Sequence, residues 1–371
     1  MLYFDYTATT PIDDEVLETF VNVEKNFFAN SSSLHKLGQR SNYLFEKAIE
    51  EIKTVLEMKD HNIVFTANAT EANNLAIYGI VLKSSRGKII TTKIEHPSVY
   101  EVYKDLERKG YETVFLDIDK EGIINLKQLE NIMDKDTILV SIMWVNNIIG
   151  SIQPIKKVIE ILKKYPRAKL HVDCVQGLGK IVPDFAFEDI DLLTLSGHKI
   201  YCPKGVGALI YRKQIELEKR LYGSLSQYGV KPGTISISLA TALCKGLKKY
   251  IPLTKKHYLQ VKQLNQYLRE GLLKLDYLIL NSGENASPYV LSLSLKGING
   301  ETLVHFLESQ DVYVSTGSAC SSKLKKPERT VYCLTNSLER ANSTIRISLS
   351  HLTTLLEIDR LLEILEKAKN V

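Results

Sequence analysis

From about residue 40 to residue 250 the chain alternates between short apolar runs and longer segments in which apolar residues recur every three or four positions. The short runs predict buried strands and the periodic segments predict amphipathic helices. Strands are predicted at residues 62–66, 87–92, 111–116, 137–145, 170–173 and 192–195. Helices are predicted at residues 41–58, 70–82, 98–109, 126–133 and 155–164. This order predicts an α/β fold with a mostly parallel sheet and helices on both faces.

Beyond Pro252 the alternation gives way to a second arrangement. Helices are predicted at residues 255–275, 300–309 and 355–369, with strands at residues 289–295 and 312–315. This stretch predicts a smaller α+β domain, and a chain of 371 residues is long enough for two domains. We therefore expect a large domain at residues 15–254 and a small domain built from residues 1–14 and 255–371.

The composition is that of an ordinary soluble globular protein, with 44% hydrophobic and 25% charged residues. The net charge of +5 is spread too widely to predict direct nucleic-acid binding. The longest apolar runs have the length of a strand, so no membrane span is expected. The first residues lack a basic stretch followed by an apolar one, which argues against an export signal.

The five cysteines lie at residues 174, 202, 244, 320 and 333, and no two of them form a CxxC pair. Their odd number and wide spacing argue against a disulfide framework and against a structural metal site. A reducing, cytoplasmic compartment fits this usage best.

Side chains of distinct chemistry follow two predicted strands. Asp173 ends the strand at residues 170–173, with Gln176 three residues later, and Lys199 follows the strand at residues 192–195 in the run Ser-Gly-His-Lys. Ligands of open α/β sheets bind at the carboxyl ends of strands. An amine and a carboxylate at one edge suit pyridoxal 5'-phosphate (PLP): the lysine binds its aldehyde, and the acid keeps the pyridine nitrogen protonated. A lone strand-terminal lysine is more often a solvated end.

A third strand-to-helix junction, at residues 67–74, suits a phosphate group. Thr70 is a plausible N-cap, and the free amides of a helix N-terminus attract anions. Ser196 and His198 could donate hydrogen bonds to the same phosphate. A simple helix cap is the alternative reading.

Two further junctions carry His96 and the pair Asn146 and Asn147. His96 is either an ordinary loop histidine or a ring that stacks on a planar cofactor and acts as an acid or base. Each asparagine either caps the turn after the strand at residues 137–145 or contacts the cofactor.

Near the C-terminus, a loop of small residues carries Cys320 and is followed by Lys323, Lys325, Lys326 and Arg329. The small neighbours predict a mobile, exposed thiol, and the cations would lower its pKa from about 8.5. Arg346 alternates with Ile345 and Ile347, which predicts a strand whose arginine could bind a carboxylate through two parallel hydrogen bonds.

Together these residues resemble a NifS-type cysteine desulfurase, a class V aminotransferase of PLP fold type I. The resemblance runs nearly end to end and rests on the order and spacing of many motifs. They are Asp5-Tyr-Thr-Ala-Thr-Thr10, residues 30–38, Ala69-Thr-Glu-Ala-Asn-Asn74, Glu95-His96, Val145-Asn-Asn147, residues 171–176, Ser196-Gly-His-Lys199, Pro232-Gly-Thr234, Ser318-Ala-Cys-Ser321 and Ile345-Arg346.

The resemblance implies a role for each candidate residue. Lys199 would hold PLP, Asp173 would pair with its pyridine nitrogen, Gln176 would bond its ring oxygen and His96 would stack on the ring. The phosphate would be held by Ala69, Thr70, Ser196 and His198, with Thr234 supplied by the partner subunit of a homodimer. Asn147 and Arg346 would bind the carboxylate of L-cysteine, Asn147 also touching the cofactor. Cys320 would accept the sulfur as a persulfide, for delivery to an iron–sulfur scaffold or a tRNA-thiolation carrier.

The chain departs from the family pattern at several positions. Lys231 replaces an arginine, Ile148 a glutamate, Trp144 a histidine, and Asn68 and Cys202 replace glycines. Two rival functions are therefore retained. One is another class V reaction, transamination or selenocysteine lysis, although transamination needs no acceptor thiol. The other is a degenerate PLP-binding scaffold.

Overall fold

The computed structural model describes residues 1–84, 86–317 and 327–370. The strands of these ranges are β1 (Leu2–Tyr3), β2 (His61–Thr66), β3 (Lys88–Thr92), β4 (Glu112–Leu116), β5 (Thr137–Met143), β6 (Lys169–Asp173), β7 (Leu192–Ser196), β8 (Gly207–Arg212), β9 (Leu278–Leu280), β10 (Val290–Leu295), β11 (Val312–Tyr313) and β12 (Thr344–Ser348). The helices are α1 (Asp14–Asn26), α2 (Lys36–Val55), α3 (Ala69–Lys83), α4 (Pro97–Arg108), α5 (Leu126–Ile132), α6 (Ile155–Leu162), α7 (Ile237–Tyr250), α8 (Thr254–Leu272), α9 (Gly300–Ser309), α10 (Arg329–Thr335), α11 (Leu338–Asn342) and α12 (Leu355–Lys367).

The central sheet has seven strands in the order β2-β8-β7-β6-β5-β3-β4. All neighbours are parallel except β8, which runs antiparallel to both β2 and β7. The predicted α/β fold with a mostly parallel sheet is confirmed, but β8 was not predicted. A parallel pair needs a crossover helix, whereas antiparallel neighbours can be joined by a shorter connection. The stretch from β7 to β8 holds only a short 3₁₀ turn, Gly197–Lys199, so its chain reverses.

This topology gathers the junctions named above at one edge of the sheet. Because β2, β3, β5, β6 and β7 all point the same way, their carboxyl ends lie together. The register pairs Met143 with Asp173 and Asp173 with Thr194, which sets the ends of β5, β6 and β7 side by side. The edge that results is where an open α/β sheet binds its ligand.

Two apolar clusters hold the sheet between its helices. Along β2, Ile63 and Phe65 belong to one cluster and Val64 to the other, as the alternation of a strand requires. Helices α1, α2 and α7 pack together on the first side, and α3 packs with α4 on the second. Each fully buried aliphatic side chain contributes about 1.5–3 kcal/mol, so these clusters stabilise the sheet that carries the residues at its edge.

The C-terminal part forms an antiparallel sheet, β12-β10-β9, beside a two-stranded parallel pair, β1 and β11. The N-terminal segment crosses to this part: Phe4 accepts a hydrogen bond from the amide of Ser348 at 2.7 Å. The Thr7 amide donates to the Ser348 hydroxyl at 2.9 Å. Residues 5–10 are thereby laid across the edge of the central sheet. The domain boundaries at residues 15–254 stay a prediction.

Side chains that cap the backbone determine where helices begin. Helix α2 begins at Lys36, five residues before the predicted start, because Nδ1 of His35 accepts the Gly38 amide at 3.2 Å. Helix α7 begins after Ser236, whose hydroxyl accepts the Leu239 amide. In the parts of the chain that the structure describes, none of the helices combines the length and apolar character needed to cross a membrane.

Candidate active site

One cavity of about 260 Å³ opens at the carboxyl edge of the central sheet. It collects the ends of five parallel strands together with the N-terminal segment and Arg346 of β12. Its lining comprises Thr7, Ala8, Asn68, Ala69, Thr70, His96, Met143, Val145, Asn147, Asp173, Val175, Gln176, Ser196, His198, Lys199 and Arg346. Of the twelve candidate residues of the sequence, ten line this cavity and two do not.

The two exceptions are Thr234 and Cys320. Thr234 lines a different cavity, between residues 23–30 and the start of α7, and is not among the residues that line the cavity with Lys199. Cys320 lies outside the described residues, as do the lysines at 323, 325 and 326.

Both flanks of the segment that carries Cys320 are nevertheless fixed beside the cavity. On one side, Ser315 forms a two-way backbone bridge with Arg346, at 2.7 and 3.2 Å. On the other, the guanidinium of Arg329 donates to the carbonyls of Lys93 and Glu95 and lies 3.6 Å from the ring centre of Tyr100. The segment therefore leaves the described structure next to Arg346 and re-enters it next to His96.

Lys199 ends the 3₁₀ turn after β7 and faces the N-terminal segment. Its Nζ donates to the carbonyls of Thr7 at 2.7 Å and Ala8 at 2.6 Å. These two carbonyls fix the direction of the amine. No pattern in the sequence predicts that the carbonyls of Thr7 and Ala8 accept hydrogen bonds from Lys199. The motif at residues 5–10 was the available signal, because the family resemblance includes it.

Asp173 and His96 are joined by a buried polar network. Asn73, on α3, donates from Nδ2 to Asp173 Oδ2 at 2.9 Å and to the Ser98 hydroxyl at 2.8 Å. Ser98 in turn contacts Nδ1 of His96 at 2.7 Å. Asp173 Oδ1 accepts the Val175 amide at 3.0 Å. Asn73 was not among the predicted residues, since only the packing of α3 on the sheet brings it to Asp173.

The charge states of this network follow from burial. Burial raises the pKa of Asp173, opposed by the Asn73 amide, the Val175 amide and the Lys199 cation. Burial lowers the pKa of His96 to about 4, with Lys199 and Arg329 acting in the same direction. His96 is therefore neutral, and its Nδ1 accepts the Ser98 amide at 3.1 Å. The ring proton consequently sits on Nε2.

The end of the cavity beside the first turn of α3 offers hydrogen-bond donors that suit an anion. Asn68 is the N-cap of α3, its Oδ1 accepting the Glu71 amide at 2.9 Å. The predicted N-cap, Thr70, is wrong by two residues, because the asparagine side chain already fills that position. By its place in the first turn, the amide of Thr70 has no intrahelical acceptor. Asn68 has φ −169°, an extended conformation, so its replacement of glycine needs no left-handed backbone.

Ser196 and His198 complete this end of the cavity. The Ser196 hydroxyl is buried and has no hydrogen-bond partner among the described residues. Nδ1 of His198 contacts the Thr9 hydroxyl at 3.1 Å, and burial lowers the pKa of His198 to about 4. An unpaired buried hydroxyl is costly unless a ligand satisfies it.

Arg346 approaches from the opposite side, with its side chain only 3% exposed. Its Nη2 donates to Asp5 Oδ1 at 2.9 Å, and its Nη1 donates to the carbonyl of Asn147 at 3.0 Å. Its Nε is buried without a partner among the described residues. Asp5 thus holds one arm of the guanidinium and leaves it further donors for a second carboxylate.

The two asparagines that follow β5 differ in position: one caps the turn and the other faces the site. Asn146 stabilises the turn: its Oδ1 accepts the amides of Ile148 and Ile149, and its Nδ2 donates to Ile94. Asn147 lines the cavity.

Lys231, which replaces an arginine, connects its segment to the turn between β2 and α3. Its Nζ lies 2.8 Å from Glu71 Oε2, and the same oxygen accepts the Ala67 amide at 2.6 Å. Nearby, Gln227 Oε1 accepts the Phe65 amide at 2.7 Å. The segment that carries Thr234 is therefore fastened to both ends of the turn between β2 and α3.

We expect Lys231→Met to weaken PLP binding by about threefold to tenfold, because a half-buried ion pair contributes on the order of 1 kcal/mol. Equilibrium titration of the cofactor would measure this, with Glu71→Gln expected to behave alike and the double variant to lose little more. Lys248→Met, which removes the ion pair with Glu51, is the matched control. An equal loss in that control would refute the prediction.

Three other departures from the family pattern are accommodated by packing. Trp144 is 1% exposed and packs edge-on against Phe185 and Phe187. A Cβ on Gly177 would lie 2.2 Å from its ring, and a Cβ on Gly246 would lie 2.1 Å from Cys202 Sγ. Ile148 is buried in a small apolar cluster with Val331 and Ala341. None of these three side chains lines the cavity.

The residues present fit PLP. Asp173 is a buried carboxylate that would gain a partner in a protonated ring nitrogen, and Lys199 would supply the amine. The unpaired Ser196 hydroxyl and the start of α3 suit a phosphate. Within the described ranges, no group of three or more His, Cys, Asp or Glu side chains is arranged to hold a metal ion.

Comparison with known proteins agrees with this chemistry. The family "Aminotransferase class-V" matches residues 2–361. The chain is 38% identical to a NifS/IcsS protein homolog of Lactobacillus delbrueckii, over 97% of this chain and 94% of that protein. It is 35% identical to the cysteine desulfurase IscS of Dictyoglomus turgidum, over 99% of this chain and 94% of that protein.

Solved structures give the same result. A NifS-like protein superposes with a TM-score of 0.92 at 32% identity, each chain being fully covered. SspA in complex with cysteine superposes with a TM-score of 0.82 at 30% identity, over 95% of this chain and all of that one. The protein belongs to the class V aminotransferase family, whose cofactor is PLP. Within that family its relatives are the NifS and IscS cysteine desulfurases.

Proposed function

We propose that this protein is a PLP-dependent cysteine desulfurase that converts L-cysteine to L-alanine and transfers the sulfur to Cys320. The observation that carries the proposal is the meeting of Lys199, Asp173 and Arg346 in one cavity. A cofactor-binding amine, an acid for the ring nitrogen and a guanidinium for a carboxylate are what an amino-acid-processing PLP site requires.

Each side chain then has a defined task. The bound cofactor supplies an electron sink that allows bonds at Cα and Cβ of the substrate to break. Asp173, held by Asn73, keeps the ring nitrogen protonated. His96, neutral and carrying its proton on Nε2, lies where it can cover the ring and exchange a proton. Arg346 and Asn147 orient the substrate carboxylate, and Ser196, His198 and the start of α3 hold the phosphate.

The reaction balances without an external oxidant. The Cβ–S bond of the substrate breaks, and an S–S bond forms between its sulfur and Sγ of Cys320. The substrate carbon is reduced to a methyl group, and the products are alanine and an enzyme persulfide. The flanks of the Cys320 segment, beside Arg346 and His96, support delivery of the thiol to this cavity.

A second copy of the chain and an acceptor protein complete the proposal. Thr234 would reach the phosphate site from the partner subunit of a homodimer, since within one chain it lines a separate cavity. Exposed Tyr222 and Leu225, at 84% and 80%, flank that segment and suit burial against the partner. The persulfide would be passed, in the cytoplasm, to an iron–sulfur scaffold or a tRNA-thiolation carrier.

The test is reconstitution with PLP followed by incubation with L-cysteine and a thiol reductant. Alanine and sulfide should appear in equal amounts. Release of a keto acid in place of alanine would indicate transamination. Cofactor binding without turnover of L-cysteine would indicate the degenerate scaffold, and turnover of selenocysteine alone would indicate a selenocysteine lyase.

We expect Arg346→Lys to raise the KM for L-cysteine by about tenfold or more, since a charge-assisted pair contributes about 1.5–3 kcal/mol and lysine lacks the planar fork. Cofactor binding should be unchanged. Asp5→Asn is the companion variant: removing a carboxylate that holds Nη2 should lower KM. A KM unaffected by Arg346→Lys would mean that the arginine is structural.

A further inference from the structure

Lys180 is a buried lysine on the turn that follows β6. The residue is only 6% exposed, and no carboxylate of the described residues is among the groups that shift its pKa. Its Nζ donates to Gln176 Oε1 at 2.9 Å. Burial lowers the pKa of Lys180 to about 7, with the cations of Lys199 and Arg346 adding to the effect. Burying an ammonium without a counter-ion is costly, so its presence needs a reason.

The hydrogen bond to Gln176 leads directly to the cavity. Gln176 lines the cavity, and its Nε2 donates to the carbonyl of Thr7 at 3.1 Å. The same carbonyl accepts Nζ of Lys199 at 2.7 Å. Lys180, Gln176, Thr7 and Lys199 thus form one continuous chain.

The chemistry of Lys180 fixes the orientation of the Gln176 amide. A glutamine amide can turn over and exchange its oxygen for its nitrogen, but the protonated form of Lys180 can only donate, and the Thr7 carbonyl can only accept. Oε1 must therefore face Lys180, and the two N–H donors of Nε2 must face Thr7 and the cavity. A flipped amide would present lone pairs to any anionic atom bound there.

The charges around Lys180 also favour an anion. The cations of Lys199 and Arg346 lower the pKa of Lys180, and Lys180 contributes to the lowered pKa of His198. Asp173 is the carboxylate in the cavity lining, while Asp5 holds Arg346 from behind. In the cavity lining the two cations, Lys199 and Arg346, exceed the one carboxylate, Asp173, which is complementary to a ligand that carries several negative charges.

We propose that Lys180 is a positioning residue: it locks Gln176 with its N–H donors toward the cofactor's ring oxygen and so holds that oxygen as an anion. The proposal rests on the proposed PLP-binding function and deepens it. It assigns a task to a side chain that does not itself line the cavity.

The experiment compares Lys180→Met with wild type after reconstitution with PLP. Two quantities are measured: the pH midpoint of the cofactor's visible absorption change and the PLP dissociation constant. Removing a nearby positive charge raises the pKa of any acid, so the midpoint should rise by about one pH unit and the affinity should fall by about tenfold. Lys53→Met is the matched control, because Lys53 is similarly buried, at 8%, but lies on α2 and pairs with Glu50.

A second variant tests whether Lys180 acts through the glutamine, and it also serves if Lys180→Met does not fold. Gln176→Leu should shift the midpoint in the same direction, and the double variant should shift it less than the sum of the two single variants. The proposal is overturned if either single variant matches the Lys53→Met control, or if the two shifts add fully. Failure of the wild type to bind PLP would instead refute the proposed function.

Discussion

Lys199→Ala should abolish the covalent attachment of PLP and reduce alanine formation by about 10³-fold or more, since the variant lacks both the anchor and its proton-transfer group. The described lining of the cavity contains one lysine, Lys199. Its Nζ is held in place by two carbonyl groups. In the wild type, borohydride treatment should fix the cofactor to the peptide that contains Lys199, and mass spectrometry should locate it there.

Lys204→Ala is the matched control, because Lys204 follows on the same loop but is exposed. That variant should retain the visible cofactor band, the borohydride adduct and full activity. A borohydride-stable cofactor adduct in Lys199→Ala would contradict the assignment, whichever lysine carried it.

Cys320→Ser should bind PLP and L-cysteine normally but lose persulfide formation, with alanine production reduced by about 100-fold or more, because a serine hydroxyl is a poor sulfur acceptor. The variant therefore separates cofactor binding from sulfur transfer. Labelling with sulfur from L-cysteine, followed by peptide mapping, would measure persulfide formation on Cys320.

The other four cysteines are placed where a thiolate is disfavoured. Cys174, Cys202 and Cys244 are buried, and burial raises the pKa of each thiol. Cys333 is half-buried, and burial raises its pKa too, against the opposing charges of Arg329 and Lys93. Cys333→Ser should therefore keep full activity and serves as the control. Labelled sulfur on Cys333 of the wild type would overturn the proposed acceptor.

The Lys199 and Cys320 variants test two different steps, cofactor attachment and sulfur transfer. Lys199 lies at the carboxyl edge of the central sheet, whereas both flanks of the Cys320 segment are anchored to groups that border the cavity, Arg346 and the Glu95 carbonyl next to His96. A loss of cofactor binding in the first variant and its retention in the second would place attachment and sulfur transfer on separate elements.

The sequence by itself determined the alternation of strands and helices and most of the candidate site. Asp173, Lys199 and His96 each lie directly after an apolar run, and the parallel order of those runs brings their ends to one edge. Strands, helices and the residues that follow them depend on neighbours within a few positions along the chain, so they can be predicted from the sequence without knowledge of the fold. The order and spacing of many motifs also predicted the family and its cofactor, PLP.

Tertiary structure decided what depends on contacts between distant residues. Asn73 meets Asp173 across 100 positions, Thr7 meets Lys199 across 192 and Asp5 meets Arg346 across 341. The antiparallel turn into β8 and the shift of the α3 cap from Thr70 to Asn68 were likewise missed. Hydrogen-bond partners at such separations are set by how helices and segments pack against the sheet, and packing geometry leaves no local pattern in the sequence that names them.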